Sequence, residues 1–317
     1  MNGIKRVYWI PLLMAALLAG CGGGSSSSST GTAQISLTDA PSGEESFDNV
    51  LITVKEVWFH KSDAAGPGEA GWLKYPLPAP RTVDLAHLTD GAVSQILDQI
   101  LPVGNYQQVC ILLADTNENN YLSPYNNEVI VGGQTFPLRI LSPAHGIALV
   151  GRFQVTDGGT LRLAIDFDIG HDVVKVTRNG ETEYLLKPRL RYFDLDNVGA
   201  IRGQVDAATR SAGGSFVFKA EQKSADNTRY VVKRFTGIRA DNTFLVSFLP
   251  PGTYDVLLRG RGVETVIVRG VPVVKGSITN LGPAIAMPAG TEFTVNTTTD
   301  PTGAWVNFYQ TLDTLVT

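Results

Sequence analysis

The chain has 317 residues, 43% of them apolar, with 26 Lys and Arg against 30 Asp and Glu, a formal charge of −4 and two cysteines. This length and apolar content allow about two domains with sizeable cores. An acidic balance without a basic block argues against nucleic-acid binding, and two cysteines cannot make a disulfide-stapled scaffold.

In chain order, Lys5 and Arg6 precede the apolar run Val7–Leu18, and Leu18-Ala19-Gly20-Cys21 follows. The run is shorter than the roughly 20 residues of a spanning helix and reads as a signal peptide over residues 1–20. Small residues directly before a cysteine resemble the bacterial lipobox, which implies cleavage before Cys21 and acylation of its thiol. Two or three acyl chains, at about 0.8 kcal/mol per buried CH₂, would anchor the chain to a membrane. Gly22 rather than Asp after the cysteine favours the outer membrane of a Gram-negative envelope. Loss of Lys5 and Arg6 takes the formal charge from −4 to −6. Residues 21–32 then comprise the lipidated cysteine and a Gly/Ser tether reaching roughly 20 Å.

Residues 33–196 read as a first β-sandwich. The segment Val50–Lys61 alternates, with a phase break near Lys55-Glu56 that a bulge would repair. Val93, Ile96, Leu97, Ile100 and Leu101 fall on one helical face, so one short helix is expected there, capped by Thr89 or Asp90 and ended by Pro102. Cys110 lies in an apolar strand and is expected to be a buried free thiol. Asp115, Asn117 and Asn119 match the first half of a calcium loop, but Asn120 and Asn126 stand where glycine and a bidentate Glu belong. A solvated turn is the alternative. A hairpin is expected across 151–167, around Asp157-Gly158-Gly159.

The stretch 163–176 holds Asp166, Asp168, His171 and Asp172 within seven positions. Leu161, Leu163, Ile165, Phe167 and Ile169 alternate and face the core, which puts Asp166 and Asp168 on the opposite face. The four polar residues could meet a cation. Alternatively, Asp168 and Asp172 accept backbone N–H bonds in a turn while Asp166 pairs with Arg162 or a basic residue of 185–193.

Leu101-Pro-Val-Gly-Asn-Tyr106 is echoed by Leu249-Pro-Pro-Gly-Thr-Tyr254, and more weakly from Met287. Each full phrase reads as a turn into a strand with a tyrosine corner. A second sandwich is expected over 197–287, and 288–317 is a C-terminal extension or hairpin. The fold class is therefore all-β, with two Ig-like or transthyretin-like sandwiches behind a signal peptide and tether.

The phrases "SLTDAPS", "VDLAHLTDG", "LPVGNYQQVCILL", "IDFDIGHDVV" and "LLKPRLRYF" occur in this order over about residues 31–195. Together they resemble a family of uncharacterised domains from bacterial secreted lipoproteins, which implies location and fold and supplies no catalytic residue. "GAIRGQVD", "DNTFLVSFLPPGTYDVLLRG" and "GVPVVKGSITNLGPAIAM" are similar to carboxypeptidase-regulatory-like and collagen-adhesin B-type modules. These are seven-stranded transthyretin-like sandwiches used as spacers or binding units. Some adhesin modules form a Lys–Asn isopeptide. Lys219 is the candidate, but its alternation with Phe216, Phe218 and Ala220 turns it outward.

His60, His87, His145 and His171 sit in unrelated contexts, and no nucleophile elbow or zinc-protease helix is present in the sequence. The expectation is a non-enzymatic, lipid-anchored envelope protein that binds or scaffolds a protein or polysaccharide, without nucleic acid. No cofactor is assigned beyond the Cys21 lipid, with calcium as a minor option. Strand pairing through the C-terminal segment in envelope assembly and metal-dependent catalysis are the alternatives. Trp58, Trp72, Tyr121, Tyr125, Trp305, Phe308 and Tyr309 are candidate exposed contacts for sugars or strands.

Overall fold

The structure is a computed structural model and describes residues 29–39, 47–116, 124–178 and 180–291. Cys21, Asn117, Asn119, Tyr121 and the aromatics at 305–309 lie outside the described residues, as do the lipobox and most of the calcium-like loop.

The first domain comprises β1 (Thr30–Asp39), β2 (Asn49–His60), β3 (Leu73–Asp84), β4 (Ser94–Pro102), β5 (Gly104–Leu113), β6 (Glu128–Val131), β7 (Gln134–Ile140), β8 (Ile147–Val155) and β9 (Thr160–Phe167). The one-turn helix α1 (Ile169–Asp172) leads into β10 (Val173–Arg178), β11 (Glu181–Leu186) and β12 (Arg191–Asp194). One sheet has the order β12-β9-β1-β4, and the larger runs β10-β11-β7-β6-β2-β5-β8 with β3 also on β2. Ala33, Ile35 and Leu37 of β1 and Leu163, Ile165 and Phe167 of β9 alternate inward as a parallel pair. They meet Ile52, Val54, Phe59 and Ile111 of the larger sheet in one core. The phase break in β2 is a bulge between Val54 and Glu56, as the alternation requires.

Two local expectations are corrected. Residues 93–101 do not form a helix: Ser94–Pro102 is β4, antiparallel to β1. A register slip opposite Ile35 and Ser36 lets consecutive Ile96 and Leu97 both turn inward, and Leu101 follows in alternation. That produces an i, i+1, i+5 apolar pattern that mimics a helical face, while Val93 and Ile100 stay exposed. The short helix of this domain is α1 instead. The 151–167 stretch is not a hairpin either. β8 pairs with β5 and β9 with β1, so the Asp157–Gly159 turn carries the chain from one sheet to the other. Its backbone is satisfied by the start of β1, with Thr32 N–H donating to Gly159 O at 2.8 Å and Gly158 N–H to Thr30 O at 2.9 Å.

The second domain comprises β13 (Gly199–Gln204), the helix α2 (Ala207–Ala212), β14 (Gly214–Lys223), β15 (Tyr230–Thr236), β16 (Thr243–Leu249), β17 (Gly252–Arg261), β18 (Val266–Val273) and β19 (Ile278–Asn280). Its sheets are β16-β13-β19 and β15-β14-β17-β18. Phe218 and Phe244 stack at 4.0 Å between them, among Ile201, Val246, Val256 and Leu258. Lys219 points off this core.

The repeated turn has the same geometry in both domains. Tyr106 Oη donates to Pro102 O at 2.8 Å and Tyr254 Oη to Pro250 O at 2.7 Å, with both rings buried. Gly104 and Gly252 share φ values of 156° and 157°, backbone that a side chain disfavours. These are tyrosine corners.

Candidate functional site

The acidic stretch is built by the end of β9. Its alternation sends Phe167 into the core and Asp166 to the other face of the sheet, where the second domain covers it. Asp166 does not pair with Arg162; of the basic residues of 185–193, Arg191 stands opposite it on β12 and attracts it at longer range, but the direct contact goes elsewhere. Asp166 Oδ2 accepts from Arg234 Nη1 of β15 at 2.9 Å, and both side chains are buried. Arg162 pairs with Asp196 instead. The Arg234 guanidinium also lies over the rings of Phe193 and Phe248, at 4.7 and 5.8 Å.

The other three residues bond locally. His171 Nδ1 and Asp168 Oδ1 are 2.9 Å apart at the surface. Asp172 is fully buried; its Oδ2 accepts from Asp168 N–H at 3.2 Å and its Oδ1 from Arg189 N–H at 3.1 Å. That is the turn-holding role available to a strand-end aspartate. Asp168, His171 and Asp172 border one depression, whereas Asp166 turns to Arg234. Among the described residues, no group of three or more His, Cys, Asp or Glu side chains could hold a metal ion.

The residues around this stretch explain the Leu37-Thr38-Asp39 phrase. Leu37 fills the core, and Thr38 Oγ1 lies 2.8 Å from Ala92 O and 3.1 Å from Leu88 O, pinning the 88–92 turn. Asp39 Oδ1 accepts from Ile169 N–H at 3.0 Å, at the start of α1. Asp39 Oδ2, Asp166 Oδ1 and Ser247 Oγ are buried without a hydrogen-bond partner among the described residues. Burial pushes the Asp39 carboxyl up to about 8; the carboxylates of Asp166, Asp168 and Asp172 add to this, against the Ile169 N–H bond. Burial likewise raises Asp166, with Arg234 opposing, and raises Asp172, with its backbone donors opposing.

The pinned turn makes a second contact between domains. Asp90 Oδ2 lies 3.0 Å from Arg239 Nε, and Asp90 Oδ1 accepts from Thr236 Oγ1 at 2.7 Å. Asp90 is therefore a junction residue, not a helix cap. Gly91 (φ +82°) permits the approach: a Cβ there would stand 2.4 Å from Ser247 Oγ. A third contact stacks Phe193 on Phe248 at 4.9 Å, with planes 4° apart. Phe248 has φ +57° and sits where the register of β13 and β16 slips, so the bulge turns it from its own core toward the first domain. The stretch that looked like a metal site is thus one wall of a buried domain junction. Sequence reasoning missed Asp39, Asp90 and Arg234 as members of it. Asp39 carried a signal, an acid directly after an apolar alternation; Arg234, next to Lys233 in β15, carried none.

Three aromatic candidates, Trp58, Trp72 and Tyr125, lie elsewhere. Trp58 is buried, not exposed. It packs edge-on against Trp72 at 6.0 Å, with Cys110 and Leu112, and its Nε1 donates to Glu56 at 2.6 Å. Tyr125 is half-buried. Cys110 is the buried free thiol expected, pushed up to about 12 by desolvation. Among the described residues, no helix is long and apolar enough to cross a membrane.

A search of the curated proteins finds no match for this chain. Among solved structures, similar chains include GBS52, the minor pilin of the Gram-positive pathogen Streptococcus agalactiae, at 10% identity over 84% of this chain and 99% of that chain, with a TM-score of 0.21. The TIE protein of Bacillus anthracis aligns at 12% identity over 82% of this chain and 34% of that one, with a TM-score of 0.21. A fimbrial protein from Bacteroides ovatus aligns at 8% identity over 82% and 50%, with a TM-score of 0.23. The ordered phrases of the first domain find their counterpart in a family profile matching residues 30–188, and through it the chain belongs to the DUF4382 family, a domain of unknown function.

Proposed function

We propose that this protein is a lipid-anchored envelope lipoprotein whose two sandwiches act together as a non-catalytic module that binds or scaffolds a protein partner. The observation that carries this reading is the buried Asp166–Arg234 pair. It commits the most reactive-looking cluster of the sequence to joining two cores, so the chain presents one rigid surface rather than two tethered beads. A junction with buried charge and stacked rings suits a load-bearing or presenting role, because relative domain motion would expose an unpaired carboxylate. The lipobox-like Cys21 and the tether supply the membrane attachment in this reading.

The test uses the full chain and its Cys21→Ser variant in a Gram-negative host, with an alkyne fatty acid as metabolic label and cross-linking in isolated envelopes. The expected result is label and outer-membrane fractionation for the parent, both lost in Cys21→Ser, together with a discrete cross-linked protein adduct. An unlabelled parent that fractionates as soluble protein, or one giving no adduct, overturns the reading.

A further inference from the structure

Residues 186–192 leave β11 and enter β12 in an extended run. Leu190 and Tyr192 pack against the core, while Lys187, Arg189 and Arg191 are exposed. Pro188 keeps Lys187 extended. The run is held from beneath: Lys187 N–H donates to Asp172 O at 2.7 Å and Arg189 N–H to Asp172 Oδ1 at 3.1 Å. None of the three cations makes an ion pair within 4 Å among the described residues, whereas Arg139 and Arg162 of the same domain pair with Glu183 and Asp196.

Beside this row lies a groove of about 400 Å³, lined by Ile140, Leu141, Ile147, Leu186 and Pro188, with Lys187 and Arg189 along its margin. Leu141 is 61% exposed. The far wall is fixed as well. Gly146 has φ +66°, and a Cβ there would lie 2.5 Å from Cys110 Sγ. A smaller depression of about 210 Å³ continues past Arg189 to Arg191, bordered by Asp168, His171 and Asp172. Asp168 is engaged by His171, and Asp172 faces inward. The rim therefore carries three exposed cations without an ion-pair partner in contact, Lys187 and Arg189 above the aliphatic floor and Arg191 beyond it, with buried Asp172 and Asp166 attracting Arg189 and Arg191 only at longer range.

We propose that this groove receives an extended acidic segment of a protein partner, with carboxylates at alternate positions meeting Lys187, Arg189 and Arg191 and aliphatic side chains between them lying on Leu141 and Ile147. The spacing supports a peptide. At about 3.3 Å per residue, alternate side chains of an extended chain stand roughly 6.6 Å apart, on both sides of such a contact. A lipid with one headgroup matches a single charge of the row, and the lining is aliphatic rather than the aromatic platform that suits a sugar ring. The fixed backbone lowers the ordering cost of binding. This proposal rests on the binding-module reading and names its partner chemistry.

The test titrates dye-labelled Gly-Glu-Leu-Glu-Leu-Glu-Gly into the full chain by fluorescence anisotropy. Parallel arms use the Lys-for-Glu peptide, a block peptide of the same composition, phosphatidylglycerol vesicles and polygalacturonate. Saturable binding of the alternating acidic peptide is expected. It should weaken about tenfold in Lys187→Gln/Arg189→Gln, weaken about threefold in Leu141→Ser, and fall with added salt. Thermal unfolding should be unchanged, since all three side chains are exposed. Equal binding of the block or Lys peptide, or indifference to both variants, overturns the proposal. So does variant-sensitive binding of the vesicles or polygalacturonate alone. If the peptide fails while the full chain still cross-links to an envelope protein, the groove assignment falls and the module reading stands.

Discussion

Arg234 Nη1 lies 2.9 Å from Asp166 Oδ2, and the two residues belong to strands of different domains, β15 and β9. Asp166 is 1% and Arg234 9% exposed at the side chain, so the pair is removed from water. Desolvating both charges offsets most of their attraction, and the pair therefore specifies how the domains meet more than it stabilises them. The Phe193–Phe248 stack, over which the guanidinium lies, shields it.

Removing only the cation should be severe. Arg234→Met leaves Asp166 buried and unpaired, at a cost of about 3–5 kcal/mol. Urea unfolding of this variant should split into two transitions, where the parent shows one. Asp166→Leu/Arg234→Met should recover most of the loss, because a hydrophobic pair of similar volume needs no compensation. Equal losses in the single and double variants would show that packing, not charge, holds the junction.

Stability should fall as the solution becomes more alkaline. The fold holds the Asp39 proton up to about 8, whereas the unfolded chain releases it near 4. Between these values folding takes up a proton. The contribution is thus complete below the unfolded value and declines as pH rises toward 8. Asp166 and Asp172, also raised, act in the same sense. Asp39→Asn imitates the neutral acid and should flatten the decline of the urea midpoint between pH 5 and 8. An unaltered slope would assign the effect to the other two carboxyls.

Much of the fold could be read from residues alone, and the failures share a cause. Alternation identified the β9 core row and the bulge in β2, because each depends on neighbours within one strand. The 93–101 segment misled because a bulge brought Ile96 and Leu97 inward together, and only the pairing with β1 reveals the bulge. Asp166 was placed correctly on the outer face, yet its partner lies 68 residues away on another domain. No periodicity within a strand encodes what will cover its outer face. Phe248 shows the same limit. It reads as a core position of β16, and the bulge converts it into a junction residue.

The two tyrosine corners should be energetically alike. Tyr106 and Tyr254 are both 1% exposed, and each hydroxyl reaches a proline carbonyl four residues upstream at nearly the same distance. Tyr→Phe at either site should cost about 1 kcal/mol, by loss of one neutral hydrogen bond and exposure of a carbonyl to poorer pairing. Chemical denaturation of the two variants measures it. A loss at one site without the other would mean that one bond is incidental.

Cys110 should be chemically silent in the fold. It is 1% exposed, and burial pushes its thiol up to about 12, so almost no thiolate exists near neutral pH. In a Cys21→Ser background, a thiol reagent at pH 8 should label nothing until denaturant is added, and then one equivalent. Rapid labelling of the native protein would show that the strands over Trp58 and Trp72 open readily.

The stack across the junction should couple more than its area suggests. Phe248 holds a left-handed backbone, φ +57°, which a bulky residue adopts at a cost of roughly 1–2 kcal/mol. The compensation is contact with Phe193 and with Arg234. Phe248→Ala should remove about 2–4 kcal/mol of stability by opening a cavity over the ion pair. Phe193→Ala should cost less, since that ring is only half-buried. Within a double-mutant cycle the two should show about 0.5–1.5 kcal/mol of coupling. Repeating the cycle in Asp166→Leu/Arg234→Met separates the sources. Coupling that persists belongs to the rings, and coupling that vanishes belongs to the guanidinium they enclose.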